Sequence, residues 1–197
     1  MKRRELLKMI ATATGTAFVG SNVLAYTVLP MENLKLTGFS KDEVAFFNEV
    51  GETILPRTDT PGARDANVGR MMAIMVADCY KPSQRKTFRD GIDSLKAKAE
   101  STYNKDFLLL TPEQRFALLS SLDEEANAQN KKMDSAENQF NDAGLPQPHY
   151  FSLIKQLVLF SFFTSEIGAT KVLRYIAIPG YYDGDLPYKK GDKAWAT

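Results

Sequence analysis

Pro148-His149-Tyr150-Phe151-Ser152-Leu153-Ile154-Lys155-Gln156-Leu157-Val158-Leu159-Phe160-Ser161-Phe162-Phe163 is the stretch that decides the fold. It is apolar on nearly every side of a helix rather than along one stripe, and a helix of that kind has to be buried. It is too short, and too interrupted by Lys155 and Gln156, to cross a membrane. The segment therefore reads as the central helix of a globular core, and the rest of the chain has to supply the elements that cover it.

Those elements are helical. Ser40 is an N-cap with Asp42 and Glu43 in the first turn, where the helix dipole favours acids. Val44, Phe47, Val50 and Ile54 then recur at three- and four-residue spacing, so Ser40 to Leu55 is expected to be an amphipathic helix that stops at Pro56. A second helix is expected from about Asn67 to Tyr80, with Met71, Met72, Ile74, Met75 and Val76 packed. Pro82 opens a third, with Phe88, Ile92 and Leu95 as its buried stripe. Thr111-Pro112-Glu113-Gln114 is a helix start with cap, first-position proline and capping-box glutamine, followed by Phe116, Leu119 and Leu122 on one face. Asp123 to Asp142 is polar and acidic, an exposed helix end or a mobile segment ahead of Gly144-Leu145-Pro146. A further helical turn, from Ser165 to Ile176, is interrupted by Gly168. No two-residue alternation is long enough for a strand. The expectation is an all-α, irregular or orthogonal helical bundle with a loop-rich aromatic C-terminal arm from about residue 179.

The N-terminus has a different design. Lys2-Arg3-Arg4 precede an apolar, small-residue stretch from Leu6 to about Gly20, and Val23-Leu24-Ala25 follows a polar exit. Positive charge ahead of a short apolar helix is how an export signal is built. Arg3 and Arg4 with Glu5-Leu6-Leu7-Lys8 resemble the bacterial twin-arginine motif, with Lys2 and Leu6 departing from its usual residues. The apolar stretch is rich in Thr, Ala and Gly, a modest hydrophobicity that suits this route. A general secretory signal or an uncleaved anchor is the alternative. Residues 1–25 thus form the leader, 26–39 a linker and 40–197 one helical domain with its arm.

The 197 residues carry 25 basic and 24 acidic side chains. Without the leader the count is 21 against 23, and such a mildly acidic body has no electrostatic footprint for nucleic acid. Cys79 is the single cysteine, which excludes an intrachain disulfide and any Cys–His metal pattern; at its helical position it reads as a small core residue. His149 is the single histidine, at the start of the central helix, where capping or packing accounts for it as well as catalysis does. No nucleophile elbow, Walker loop or dinucleotide fingerprint is present.

Two segments are more pointed than a plain bundle requires. Glu52-Thr53-Ile54-Leu55-Pro56-Arg57-Thr58-Asp59-Thr60-Pro61-Gly62-Ala63 runs a helix end into a loop between two prolines, with Arg57 and Asp59 either paired to each other or capping a neighbour. From Phe162 through Glu166, Gly168, Arg174 and Tyr175 the chain enters an irregular tail carrying Tyr181, Tyr182, Tyr188 and Trp195. Tyrosine and tryptophan in such an arm serve either to wrap the bundle or to anchor another protein.

The leader, the segment Glu52–Val68 and the segment Phe162–Tyr188 with Ala194-Trp195 together resemble the gluconate 2-dehydrogenase subunit 3 family, the small subunits of flavin-dependent sugar and alcohol dehydrogenase complexes. The resemblance implies a chain that is not an enzyme by itself and holds no cofactor or metal. It implies a large FAD-dependent (GMC-type) partner subunit that oxidises a sugar or polyol hydroxyl. A cytochrome c subunit, where present, takes the electrons. It implies co-export of the pair to the periplasm through the twin-arginine machinery. No catalytic residue carries over; Glu52, Arg57, Asp59, Glu166, Gly168, Arg174, Tyr175, Tyr181, Tyr182 and Trp195 are expected to serve architecture and partner contact, and Arg3 and Arg4 export. The alternatives are a stand-alone periplasmic hydrolase using Asp59 or Glu166 with His149, and a binding protein tethered by an uncleaved leader.

Overall fold

A computed structural model describes residues 32–134, 148–178, 180 and 184–196. The leader with Arg3 and Arg4, residues 135–142 of the 123–142 stretch with Gly144-Leu145-Pro146, and Tyr181 and Tyr182 lie outside the described residues. Within them the chain is all-α, with six helices and no strand. These are α1 (Glu32–Thr37), α2 (Lys41–Ile54), α3 (Val68–Cys79), α4 (Pro82–Tyr103), α5 (Pro112–Asp134) and α6 (Tyr150–Phe163). A 3₁₀ turn (Phe107–Leu109) precedes α5 and a π-helical turn (Gly168–Val172) follows α6.

The helix starts are set by the local signals. Ser40 Oγ accepts from the Glu43 N–H at 3.1 Å while Glu43 accepts from the Ser40 N–H at 2.7 Å, a complete capping box. Thr111 and Gln114 make the same exchange ahead of α5, at 3.3 and 3.0 Å. The start of α3 is different. Asn67, in the left-handed region, gives no side-chain cap. Instead Asn48, from the middle of α2, accepts from the Gly69 N–H at 2.8 Å and donates to the Asn67 side chain at 3.1 Å. One helix thus caps another across a tertiary contact, satisfying a donor that the first turn leaves open. The approach is close: a Cβ on Gly69 would lie 2.3 Å from the Val44 carbonyl oxygen.

α6 runs through the core, with Phe151, Leu153, Ile154, Leu157, Val158 and Phe162 all buried. It packs on α2, α3, α4 and α5. Beside it sits an aromatic cluster: Phe47 lies edge-on to Phe39 at 5.4 Å and to Phe88 at 5.7 Å, and Phe46 to Phe107 at 5.2 Å. Edge-to-face pairs of this kind add about 0.5–1.5 kcal/mol each beyond the area they bury.

Several expectations are corrected. Part of the segment read as a linker is α1 and the turn after it, and these belong to the core. Leu34 and Phe39 are buried, and the Arg89 guanidinium covers the Phe39 ring at 4.1 Å while donating to the Gly38 carbonyl at 2.7 Å. Met71 is exposed, and the buried positions of α3 are Val68, Gly69, Met72, Ala73 and Val76. On α5 the buried face is Leu118, Leu119, Leu122 and Ala126, and Phe116 is 65% exposed. Cys79 is exposed rather than in the core. Gly168 does not break a helix between Ser165 and Ile176; it begins the π-helical turn, after which the chain leaves helical geometry at Leu173.

The α2–α3 crossing yields two predictions. Gly69→Ala forces a methyl into backbone and should destabilise the protein by about 1–3 kcal/mol. Asn48→Ala removes the cap without adding bulk and should cost about 0.5–2 kcal/mol. Chemical denaturation followed by circular dichroism reads both, and an unchanged midpoint for Asn48→Ala would refute the tertiary cap.

Candidate functional site

The connection from α2 to α3 is organised by two carboxylates. Glu52, in the last turn of α2, accepts from the backbone N–H of Arg57 at 3.0 Å and of Arg64 at 2.8 Å, closing the loop at both ends. Asp65 holds the middle, accepting from the Gly62 N–H at 2.9 Å and forming a two-pronged pair with the Arg57 guanidinium, whose Nε donates at 2.8 Å. Charge-assisted, two-pronged contacts fix geometry as well as contributing energy. The Arg57 side chain beside it holds the Asp65 carboxyl below its usual range, with the Gly62 N–H adding to the effect, and the same pair raises Arg57. Gly62 has no room for a side chain, since a Cβ there would sit 2.5 Å from the Arg57 nitrogen and 2.6 Å from Glu52 Oε2. Arg57 is therefore paired with Asp65, not with Asp59.

A further charged group buttresses this loop. Glu49 binds the guanidinium groups of both Arg64 and Arg115. Arg115 also donates to the Phe107 and Leu108 carbonyls at 3.1 and 2.6 Å. α2, the loop, the 3₁₀ turn and α5 are tied at one point. Asp65, Glu49, Arg64 and Arg115 escaped the sequence reading. The only local signal for them was an acid three residues after the loop glycine, at Gly62-Ala63-Arg64-Asp65.

The far side of the loop opens to solvent. Arg57, Thr58, Asp59, Thr60, Pro61 and Asp65 form one wall of a groove of about 540 Å³, and Ile167 and Lys171 of the π-helical turn form the other. The two segments singled out in the sequence thus meet along one line. Gly168 is buried where a Cβ would stand 2.0 Å from the Phe162 carbonyl oxygen, and Ser165 bridges the turn by donating to that carbonyl at 2.6 Å and accepting from the Gly168 N–H at 3.0 Å. Glu166 is exposed at the start of the turn, and its carbonyl accepts from the Thr170 hydroxyl.

The end of the arm then returns beside the π-helical turn. Arg174 and Trp195 form an isolated parallel bridge, in which Arg174 donates to the Ala194 carbonyl at 2.8 Å and accepts from the Ala196 N–H at 2.9 Å. The guanidinium stacks on the Trp195 indole at 4.8 Å. Tyr175, Ile176, Ile178, Leu186 and Tyr188 stay exposed around this clasp, as does part of Trp195 itself.

His149 plays a structural part at the other end of α6. Its Nδ1 accepts from the Phe151 N–H at 3.2 Å, and its ring lies on Tyr150 at 4.4 Å. Burial lowers the His149 pKa and pushes Tyr150 up to about 12. The imidazole caps the N-terminus of a 14-residue helix whose C-terminus leads to Glu166. That separation is about 20 Å at the helical rise, and it keeps Glu166 from acting with His149. Among the described residues no three His, Cys, Asp or Glu side chains are placed to hold a metal ion, and no helix is long and apolar enough to cross a membrane.

The Arg57–Asp65 pair gives a pH prediction. A carboxyl held below its unfolded range stabilises the fold above that range and loses the contribution as pH falls through its folded value. Asp65→Asn should melt below the wild type at neutral pH. The gap should close as pH drops below 3.8, the ordinary value for this carboxyl. Equal melting temperatures at neutral pH would refute the clamp.

The family model for gluconate 2-dehydrogenase subunit 3 matches residues 41–180. No curated protein and no solved structure matches the chain. The matched stretch begins at the first residue of α2, contains both carboxylate clamps and the groove they shape, and reaches into the arm. On that match over most of its length, the chain belongs to the gluconate 2-dehydrogenase subunit 3 family.

Proposed function

We propose that this chain is the non-catalytic small subunit of a periplasmic sugar or polyol dehydrogenase complex, which binds, stabilises and co-exports the FAD-containing catalytic subunit. The family name implies association with other gluconate dehydrogenase subunits. The observation that carries the finer reading is the arm. Ile178 is 84% exposed and Tyr188 77%, and Tyr175, Ile176, Leu186 and Trp195 of the same arm are exposed too. Large apolar and aromatic side chains left exposed along one arm are the kind of surface that another protein covers. Phe160 and Phe163, near the end of α6, are exposed as well. In this reading the flavin chemistry belongs wholly to the partner, and Arg3 and Arg4 supply the export signal for both.

A chain tagged at its C-terminus and purified from its native host should bring with it a larger protein with a flavin absorption spectrum. That preparation should reduce a dye with a sugar or polyol as donor. A colourless monomer that turns over a substrate on its own would replace this reading with a stand-alone enzyme. The export half is tested separately. Replacing Arg3 and Arg4 by lysine should leave both proteins in the cytoplasm, and mass spectrometry of the exported wild type should find its N-terminus near residue 26. Export of the flavoprotein in cells lacking this chain would refute co-export.

A further inference from the structure

The loop at 57–61 has an inner side whose groups are all engaged and an outer side whose groups are not. Glu52, Arg57, Asp65 and Gly62 are held by one another. The hydroxyls of Thr58 and Thr60 and the carboxylate of Asp59 have no hydrogen bond or ion pair to any described residue, although all three residues line the groove. Across from them the Lys171 ammonium is equally unengaged, because only its backbone carbonyl is used, accepting from Lys193 at 3.2 Å. Arg57 is already neutralised by Asp65. Among the described residues the groove therefore presents one free anion on the loop wall and one free cation on the turn wall, with no ion pair joining them.

The two walls are built differently from a mobile surface. The loop is closed by Glu52 at both ends, and the turn is fixed by Gly168 against Phe162 and by the Ser165 bridge. With the backbone on both walls already held, only the side chains are left to be ordered when a partner binds. Ile167 and Lys171, which form one wall of the groove, lie in the chain between Phe163 and Tyr175, both exposed.

We infer that this groove is the orienting contact for the FAD-containing subunit: a surface segment of that partner lies along it, setting a basic side chain against Asp59 and an acidic one against Lys171. The inference rests on the small-subunit reading and deepens it. The apolar arm supplies area, and the charge pair supplies register, because a segment entering in the reverse direction would meet like charge at both points. Complementary charges at an interface act mainly on orientation, association rate and salt dependence.

The test uses the flavoprotein that co-purifies with the tagged chain, separated and titrated back onto wild type, Asp59→Asn, Lys171→Gln and, as a charge-removing control outside the groove lining, Lys86→Gln. All four should melt nearly together in the free state, because the Asp59 carboxylate and Lys171 ammonium engage no described residue and Lys86 only pairs with Asp90 at an exposed site, a contact worth little. Asp59→Asn and Lys171→Gln should each bind the flavoprotein roughly tenfold more weakly at low salt. Their affinities should also vary less with salt than the wild type's, while Lys86→Gln behaves as wild type. Wild-type affinity and salt dependence in both groove variants would overturn the inference and leave the small-subunit reading standing. A wild-type chain that brings down no flavoprotein would overturn both, and self-association lost in Asp59→Asn would reassign the groove to a second copy of this chain.

Discussion

The fold depends on where α3 begins. Its first turn lies against the middle of α2, so close that Gly69 leaves no space for a methyl group beside the Val44 carbonyl. Asn48 closes the contact by accepting the Gly69 N–H. The connecting loop cannot take the shortest path between two such helices. It must run out from Ile54 and come back, which requires its backbone donors to be satisfied away from any helix or sheet. Glu52 and Asp65 do this, and the arginines at 57, 64 and 115 balance the charge of Asp65 and Glu49. The groove is a consequence of that arrangement, since a loop held from inside presents its outer residues in a fixed shape.

The core and the site are coupled through α6. Its N-terminus is capped by His149 and tied to α5 by Asn130, which donates to Ser152 at 2.9 Å, and by the Lys155–Asp123 pair at 2.7 Å. Its C-terminus feeds the π-helical turn that forms the second wall of the groove. Burial of Phe151, Leu157, Val158 and Phe162 therefore fixes the position of Lys171 relative to Asp59, although neither belongs to the core. Removing a buried side chain from such a helix costs about 2–5 kcal/mol, and here it would also loosen the wall.

Helix starts were legible because their causes are local. Ser40 with Glu43, and Thr111 with Gln114, lie within four residues of one another, and the capping exchange does not depend on the rest of the fold. The stripe Phe88, Ile92 and Leu95 was legible for the same reason. Which side of a weaker stripe is covered was not. Phe116 and Met71 belong to helical patterns, yet the neighbouring helices cover Leu118 and Met72 instead. Periodicity tells that a helix has an apolar face, and only the neighbours decide how far round that face the contact extends. Cys79 and the segment at 32–39 failed for that reason too, since Leu34 and Phe39 are too few to announce a packed element.

The sequence by itself determined the class of fold, the central place of residues 150–163, the local caps at Ser40 and Thr111, and the two segments that meet at the groove. It did so because short-range hydrogen bonding and the pattern of apolar residues leave a helix of that composition no choice but burial. Tertiary structure alone decided that Arg57 pairs with Asp65 rather than Asp59, that Glu49 serves two arginines, and that Asn48 caps a helix not its own. Each of these links residues whose side chains meet only after the chain has crossed itself. Spacing along a sequence carries no information about which of several nearby acids an exposed arginine will reach, whereas the path of the loop leaves it one.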